Sequence, residues 1–225
     1  MKQAIHNIQL HPRQSGIALI TVLVLMLLSL MAVLGSARVA NLNEAMLGST
    51  TDYNRARAAA EALMRDAQFD IRSRIAPAAN APWFPMSSED FDSVNDIVAA
   101  NSASQRCMNG ICVPLDLTTH ANIEDHLVDM TPLGASYGQF TQPATVPGVQ
   151  GNPILSFNPA RAWYWVELFR YTEAINSGGL VAANAIPDAS KPFIYRITAV
   201  AQGLKAGTRV VLTAVYVPFP KSQVK

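Results

Sequence analysis

Residues 17–34 read IALITVLVLMLLSLMAVL, an apolar run without one charged side chain. Wound into a helix at 1.5 Å per residue, a run of this length reaches about 27 Å, close to the ~30 Å of a bilayer's hydrocarbon core. Such a helix needs lipid or protein around it on every side. Ahead of it, MKQAIHNIQLHPRQSG carries Lys2 and Arg13 and no acid, and Arg38 follows it. The short, purely basic leader places the N-terminus in the cytoplasm and the bulk of the chain outside. Two readings compete with a permanent anchor. A cleaved secretory signal has a basic start, an apolar run of about 7–15 residues and a small-x-small cleavage site. Gly35-Ser36-Ala37 would supply the small residues, but the run here is longer. A buried core helix would ordinarily be shorter or amphipathic.

The junction Arg13-Gln14-Ser15-Gly16-Ile17-Ala18-Leu19-Ile20-Thr21 joins a polar, basic leader ending in glycine directly to the apolar run. It resembles a class III signal, the leader of type IV prepilins. The resemblance implies that a membrane-bound peptidase cuts between Gly16 and Ile17 on the cytoplasmic side and methylates the new N-terminus, leaving the helix in place. A residue with no Cβ keeps the scissile peptide accessible in an extended form. The fifth residue from Ile17 is Thr21, where most pilins of this kind carry a glutamate that neutralises the terminal amine of the subunit above. A carboxylate is costly in an apolar bundle without such a partner, so the departure implies a subunit with nothing above it. The plainer reading is that Thr21 is a tolerated polar residue whose hydroxyl bonds a carbonyl one turn back.

Half of the 225 residues are apolar, which leaves room for one modest globular domain beyond the anchor. A net charge of +1 gives no reason to expect nucleic acid or an acidic substrate. The two cysteines lie in Cys107-Met108-Asn109-Gly110-Ile111-Cys112. Asn-Gly is the strongest short hairpin signal; a two-residue turn there sets Met108 opposite Ile111 and Cys107 opposite Cys112. Directly opposed strand residues are within disulfide range, and a bridge needs an oxidising compartment, which fits an extracytoplasmic domain. The alternative, two free thiols at a metal or redox site, lacks CxxC spacing and a histidine close by in sequence.

After the apolar run the helical pattern continues without proline to about Ile75. Tyr53, Ala56, Ala60, Leu63 and Ala67 recur three or four residues apart, with Asp52, Arg55, Arg57, Arg65 and Asp66 between them, which predicts an amphipathic helix. Gly48-Ser49-Thr50-Thr51-Asp52 is its weak point, where a kink or local melting is expected. Asn43-Glu44-Ala45-Met46-Leu47-Gly48, followed by Arg55-Ala56-Arg57-Ala58-Ala59-Ala60-Glu61-Ala62-Leu63-Met64-Arg65-Asp66-Ala67, resembles the N-terminal region of the PilX minor pilins. That family shows a Met-x-Gly step after a glutamate, then an Ala-Ala-Glu-Ala block ending in Arg-Asp-Ala. The resemblance covers about the first seventy residues, with a looser likeness at Tyr195-Arg196-Ile197-Thr198.

Residues 76–160, broken by nine prolines, read as an irregular insert that holds the disulfide hairpin and a helix near 89–100. Three strand-like segments close the chain, at 162–169, 193–201 and 208–217; the glycine-bounded loop 203–207 makes the last two an antiparallel hairpin. The expected fold is α+β: a long N-terminal helix packed on a C-terminal antiparallel sheet, which resembles the pilin fold. The expected organisation is a leader at 1–16, a transmembrane helix at 17–37, its amphipathic continuation at 38–75, the insert at 76–160 and the sheet at 161–225.

Catalysis finds little support. His120, Glu124, Asp125 and His126 fit neither an HExxH helix nor a usual zinc pattern, and Asp116, Asp125 and Asp129 lack EF-hand spacing. There is no GxSxG, P-loop or dinucleotide fingerprint, so no catalytic residue, metal ligand or cofactor is assigned. By resemblance, the expectation is a minor pilin in the initiation or tip complex of a type IV pilus, held in the inner membrane with its domain in the periplasm and then displayed on the cell surface. Its implied partners are other minor pilins and the major pilin through the N-terminal helix, a tip adhesin and the prepilin peptidase. The competing class is an exported or anchored binding protein unrelated to pili.

Overall fold

The computed structural model describes residues 17–73, 84–101, 104–115, 118, 122–140, 151–172, 179, 182 and 185–221. The chain divides into two compact units, Met1–Gly48 and Ser49–Lys225. A single helix, α1 (Ile17–Ser73), runs through the division. Helical hydrogen bonding continues across residues 48–52, so the expected melting there does not occur.

In the first unit α1 buries no residue. Apolar side chains point outward all round it, as the unbroken apolar run requires.

In the second unit α1 is amphipathic. Ala56, Ala59, Ala60, Leu63, Ala67 and Ile71 form its buried stripe, spaced three and four residues apart. Tyr53, expected on that stripe, is exposed instead, and Asp52 one residue earlier turns inward. The small alanines let the helix backbone lie close to a sheet built around three long strands, β4 (Ala162–Arg170), β5 (Phe193–Gln202) and β6 (Arg209–Tyr216), all antiparallel. Alternation sends Tyr164, Val166 and Leu168 of β4 and Tyr195, Ile197 and Ala199 of β5 into the same core as the helix stripe.

The sheet is mixed rather than purely antiparallel. The hairpin β1 (Cys107–Met108) and β2 (Ile111–Cys112) docks on the edge of β4 through a parallel pairing that sets Ile111 beside Val166. Antiparallel β3 (Ala135–Ser136) shares that edge beside Trp163 and Tyr164. A parallel partner needs a long crossover, and the residues between Cys112 and Ala162 supply one. The stretch expected to be an irregular insert therefore gives three short strands to the sheet. A two-stranded hairpin of this length is unstable alone, and docking on β4 stabilises it.

Helix α2 (Ser88–Asn101) forms where the sequence predicted it and buries Val94 and Val98. Ser87 Oγ accepts from the Asp90 N–H at 3.1 Å, while the Asp90 carboxylate accepts from the Met86 N–H at 3.0 Å. This reciprocal exchange satisfies donors at the helix start. Phe91 stacks on Phe193, ring centroids 5.8 Å apart, fixing α2 at the beginning of β5.

Candidate functional site

The exposed apolar part of α1 contains three hydroxyl residues in its first twenty: Thr21, Ser29 and Ser36. Each turns its hydroxyl back into the helix. Thr21 Oγ1 donates to Ala18 O, Ser29 Oγ to Met26 O and Ser36 Oγ to Ala32 O, all at 2.9 Å. No hydroxyl is left asking for water, which is the condition a helix must meet in hydrocarbon. Ile17, the first described residue and already helical, is 76% exposed. Gly16 lies outside the described residues. The helix is long and apolar enough to cross a membrane, which is consistent with membrane anchoring.

Cys107 and Cys112 are bridged, as the hairpin register predicts. Asn109 and Gly110 both take positive φ, 53° and 77°, the pair of conformations that Asn-Gly favours. A Cβ on Gly110 would lie 2.6 Å from Ala135 Cβ and 3.0 Å from its nitrogen, so only glycine lets β3 close over the turn. The bridge is itself core. It packs with Trp165, Val200, Ile123 and Met130 on the sheet face away from α1, and Trp165 Nε1 donates to Met130 O at 3.0 Å. The 3-10 turn Ile123–His126 and helix α3 (Leu127–Met130) cover that face.

His120 and Asp116 lie outside the described residues. Among the described residues no group of three histidine, cysteine or acidic side chains could hold a metal ion.

Three aspartates that periodicity assigned no role turn out to fasten α1 to the rest of the second unit. Asp52 accepts from the Leu204 N–H at 2.8 Å and the Lys205 N–H at 3.0 Å, clasping the β5–β6 loop. Gly203 lies so close to this carboxylate that an added Cβ would collide with it. Burial pushes the Asp52 carboxyl up, but the N–H groups of Lys205 and Leu204, the Thr208 hydroxyl and the Lys205 charge together hold it below the ordinary 3.8. Asp66 accepts from the Gly138 N–H at 2.6 Å, just beyond β3. Asp70 accepts the Tyr164 hydroxyl of β4, and its other oxygen, Oδ1, has no partner among the described residues. Burial lifts the Asp70 carboxyl to about 6; the Tyr164 hydroxyl opposes that rise and the Asp66 charge adds to it. The signal was present in the spacing, since Asp52, Asp66 and Asp70 lie three or four residues from Ala56, Leu63 and Ala67 on one stripe.

One buried ion pair crosses the sheet. Glu167 and Arg196 are register partners on β4 and β5 and meet in a fork at 2.6 and 2.7 Å. Burial pushes the Glu167 carboxyl up, with Arg196 pulling against it. Arg196 belongs to the segment that carries the looser family likeness, and its role in this fold is to neutralise a carboxylate that has no contact with water.

The family model described as "Type IV pilus assembly protein PilX C-term" matches residues 99–218, just over half of the chain. The chain belongs to the PilX family. The matched stretch runs from the end of α2 through all six strands, and so takes in the disulfide hairpin and the Glu167–Arg196 pair. This PilX chain is thus a type IV pilus assembly protein, with α1 lying ahead of its family domain. A search of curated proteins and a search of solved structures gave no match.

Proposed function

We propose that this PilX-family chain is a minor pilin acting in the initiation or tip complex of the type IV pilus. The observation that carries the reading is the first part of α1: an apolar helix with every side chain exposed and every hydroxyl satisfied internally, ahead of a pilus-assembly domain. Its organisation follows as a leader at 1–16, a membrane-spanning segment at 17–37, an amphipathic continuation at 38–75, the strand-bearing insert at 76–160 and the main strands at 161–225. The helix holds the subunit in the inner membrane until it is extruded and then packs among the helices of other minor pilins and the major pilin. The bridged cysteines suit a periplasmic domain, since thiols stay reduced in the cytosol. Chemistry is no part of this role.

Prepilin peptidase removes the leader after Gly16 and methylates Ile17. Thr21, at the fifth mature position, satisfies its hydroxyl within the helix and offers no carboxylate to an amine above, which favours the uppermost place. The second unit presents the surface that other tip subunits, an adhesin among them, would meet. The test is Gly16→Val in cells that contain the peptidase. Full-length protein should accumulate on a blot and surface pili should fall in number; normal processing of the variant would refute the assignment.

A further inference from the structure

Three cationic residues line one cleft at the end of the sheet. Gln202 at the end of β5 pairs with Arg209 at the start of β6, and its N–H donates to Arg161 O at 2.8 Å. That register brings Arg161, just before β4, and Lys205 and Arg209 of the β5–β6 hairpin to the wall of one cleft of about 480 Å3. The acid beneath the loop, Asp52, is engaged by two backbone N–H groups and the Thr208 hydroxyl, and it feels the Lys205 charge as well. Arg209 donates to the Glu124 carbonyl at 3.5 Å, a long bond that leaves most of its guanidinium unused. Arg161 gives one N–H to Gly203 O at 2.7 Å and lies over the Phe157 ring, which holds its guanidinium in place. The Lys205 ammonium, whose charge acts on Asp52, makes no hydrogen bond or close ion pair among the described residues.

The backbone adds to this charge. Within the loop, Gly203 N–H donates to Thr208 O and Thr208 N–H to Lys205 O, while the N–H groups of Ala206 and Gly207 find no acceptor among the described residues. Both residues are exposed and line the cleft, and Gly207 has a φ of 85° with nothing within 4 Å of where a Cβ would stand. Successive free N–H groups at a left-handed glycine form the kind of concavity that takes an anion.

We propose that this cleft binds a phosphate group. A planar carboxylate is matched by the fork of one guanidinium, whereas several cations with backbone donors beside them suit a tetrahedral phosphate oxyanion. The phosphate can belong to a phospholipid headgroup or be free in solution; the recognition chemistry is the same. This site is independent of the minor-pilin reading and stands or falls by itself.

The test uses the full chain in phosphatidylcholine nanodiscs, labelled with 13C-carbonyl alanine and 15N-glycine. Ala206-Gly207 is the sole Ala-Gly step in the sequence, so one amide signal reports the loop. Inorganic phosphate should shift that signal saturably, and sodium chloride of equal ionic strength should not. Arg209→Gln should weaken the response about tenfold, or 1.4 kcal/mol. A shift already present in phosphatidylglycerol nanodiscs, which added phosphate no longer changes, identifies a lipid headgroup as the occupant; a shift seen solely with added phosphate identifies a soluble one. No movement in any arm, or equal movement in a Lys205→Gln, Arg209→Gln double variant, would overturn the proposal.

Discussion

Acidification should tighten the seat of α1 on its sheet before it loosens it. Asp70 is 1% exposed, bonded through one oxygen to Tyr164 and unpartnered at the other, with its carboxyl lifted from 3.8 to about 6. A carboxyl raised on folding binds its proton more tightly in the folded chain. Its contribution is therefore complete below pH 3.8 and lost as pH rises through about 6. At 1.36 kcal/mol per pKa unit that interval amounts to about 3 kcal/mol, an upper figure because relaxation near the end of the helix lets water reach the carboxylate. Asp52 works the other way. Held below 3.8, it contributes stability that is present above that value and lost as pH falls through its folded pKa. Comparison with Asp70→Asn isolates the first effect. The amide oxygen still accepts the Tyr164 hydroxyl, and the NH2 group takes the place of the unpartnered oxygen, at a cost of about 1–3 kcal/mol that does not vary with pH. Urea unfolding of the full chain in neutral micelles, followed by tryptophan fluorescence from pH 4 to 8, gives the difference. Wild type should gain up to about 2.4 kcal/mol on the variant as pH falls from 7 to 4. Parallel curves would show that the Asp70 proton is not coupled to folding.

Three further outcomes follow from the same geometry. Reducing the Cys107–Cys112 bridge should lower stability by about 2 kcal/mol, the loop-closure value for so short a loop, and leave far-UV circular dichroism unchanged; loss of the helix and sheet signal would contradict a local role. Gly110→Ala meets both a φ of 77° and the backbone of β3, so it should destabilise by more than about 2 kcal/mol, while Gly151→Ala, in open space, should be near neutral; equal melting points would be inconsistent with this packing. Thr21→Glu adds a carboxylate without a partner if the subunit is uppermost, at a cost of a few kcal/mol, and should reduce the count of surface pili. Immunogold label spread along the shafts with unchanged piliation would place the subunit elsewhere in the filament.

The sequence revealed elements wherever one kind of spacing dominated. The apolar run, the Asn-Gly turn between two cysteines and the aromatic and β-branched strands each rest on local chemistry. The parallel docking of Ile111 beside Val166 was not legible, because register between strands so far apart in sequence is set by packing and not by pattern. Asp52 and Asp66 were placed among the polar positions between the stripe residues, and Asp70 was given no place, for a related reason. Their spacing puts them on the buried stripe, but an aspartate counts as polar in any periodicity, and burying it is favourable because N–H and hydroxyl donors of the β5–β6 loop, Gly138 and Tyr164 arrive from elsewhere in the chain. The backbone bond of the Thr21 hydroxyl was readable, since a hydroxyl on an apolar helix has little else to bond than the preceding turn.

The minor-pilin assignment is tested most directly by mass spectrometry of this chain recovered from sheared, washed pili. The account predicts a mature N-terminus at methylated Ile17 with the whole apolar helix retained. A chain that begins near Ala40, or one confined to the membrane fraction and absent from the pili, would contradict it.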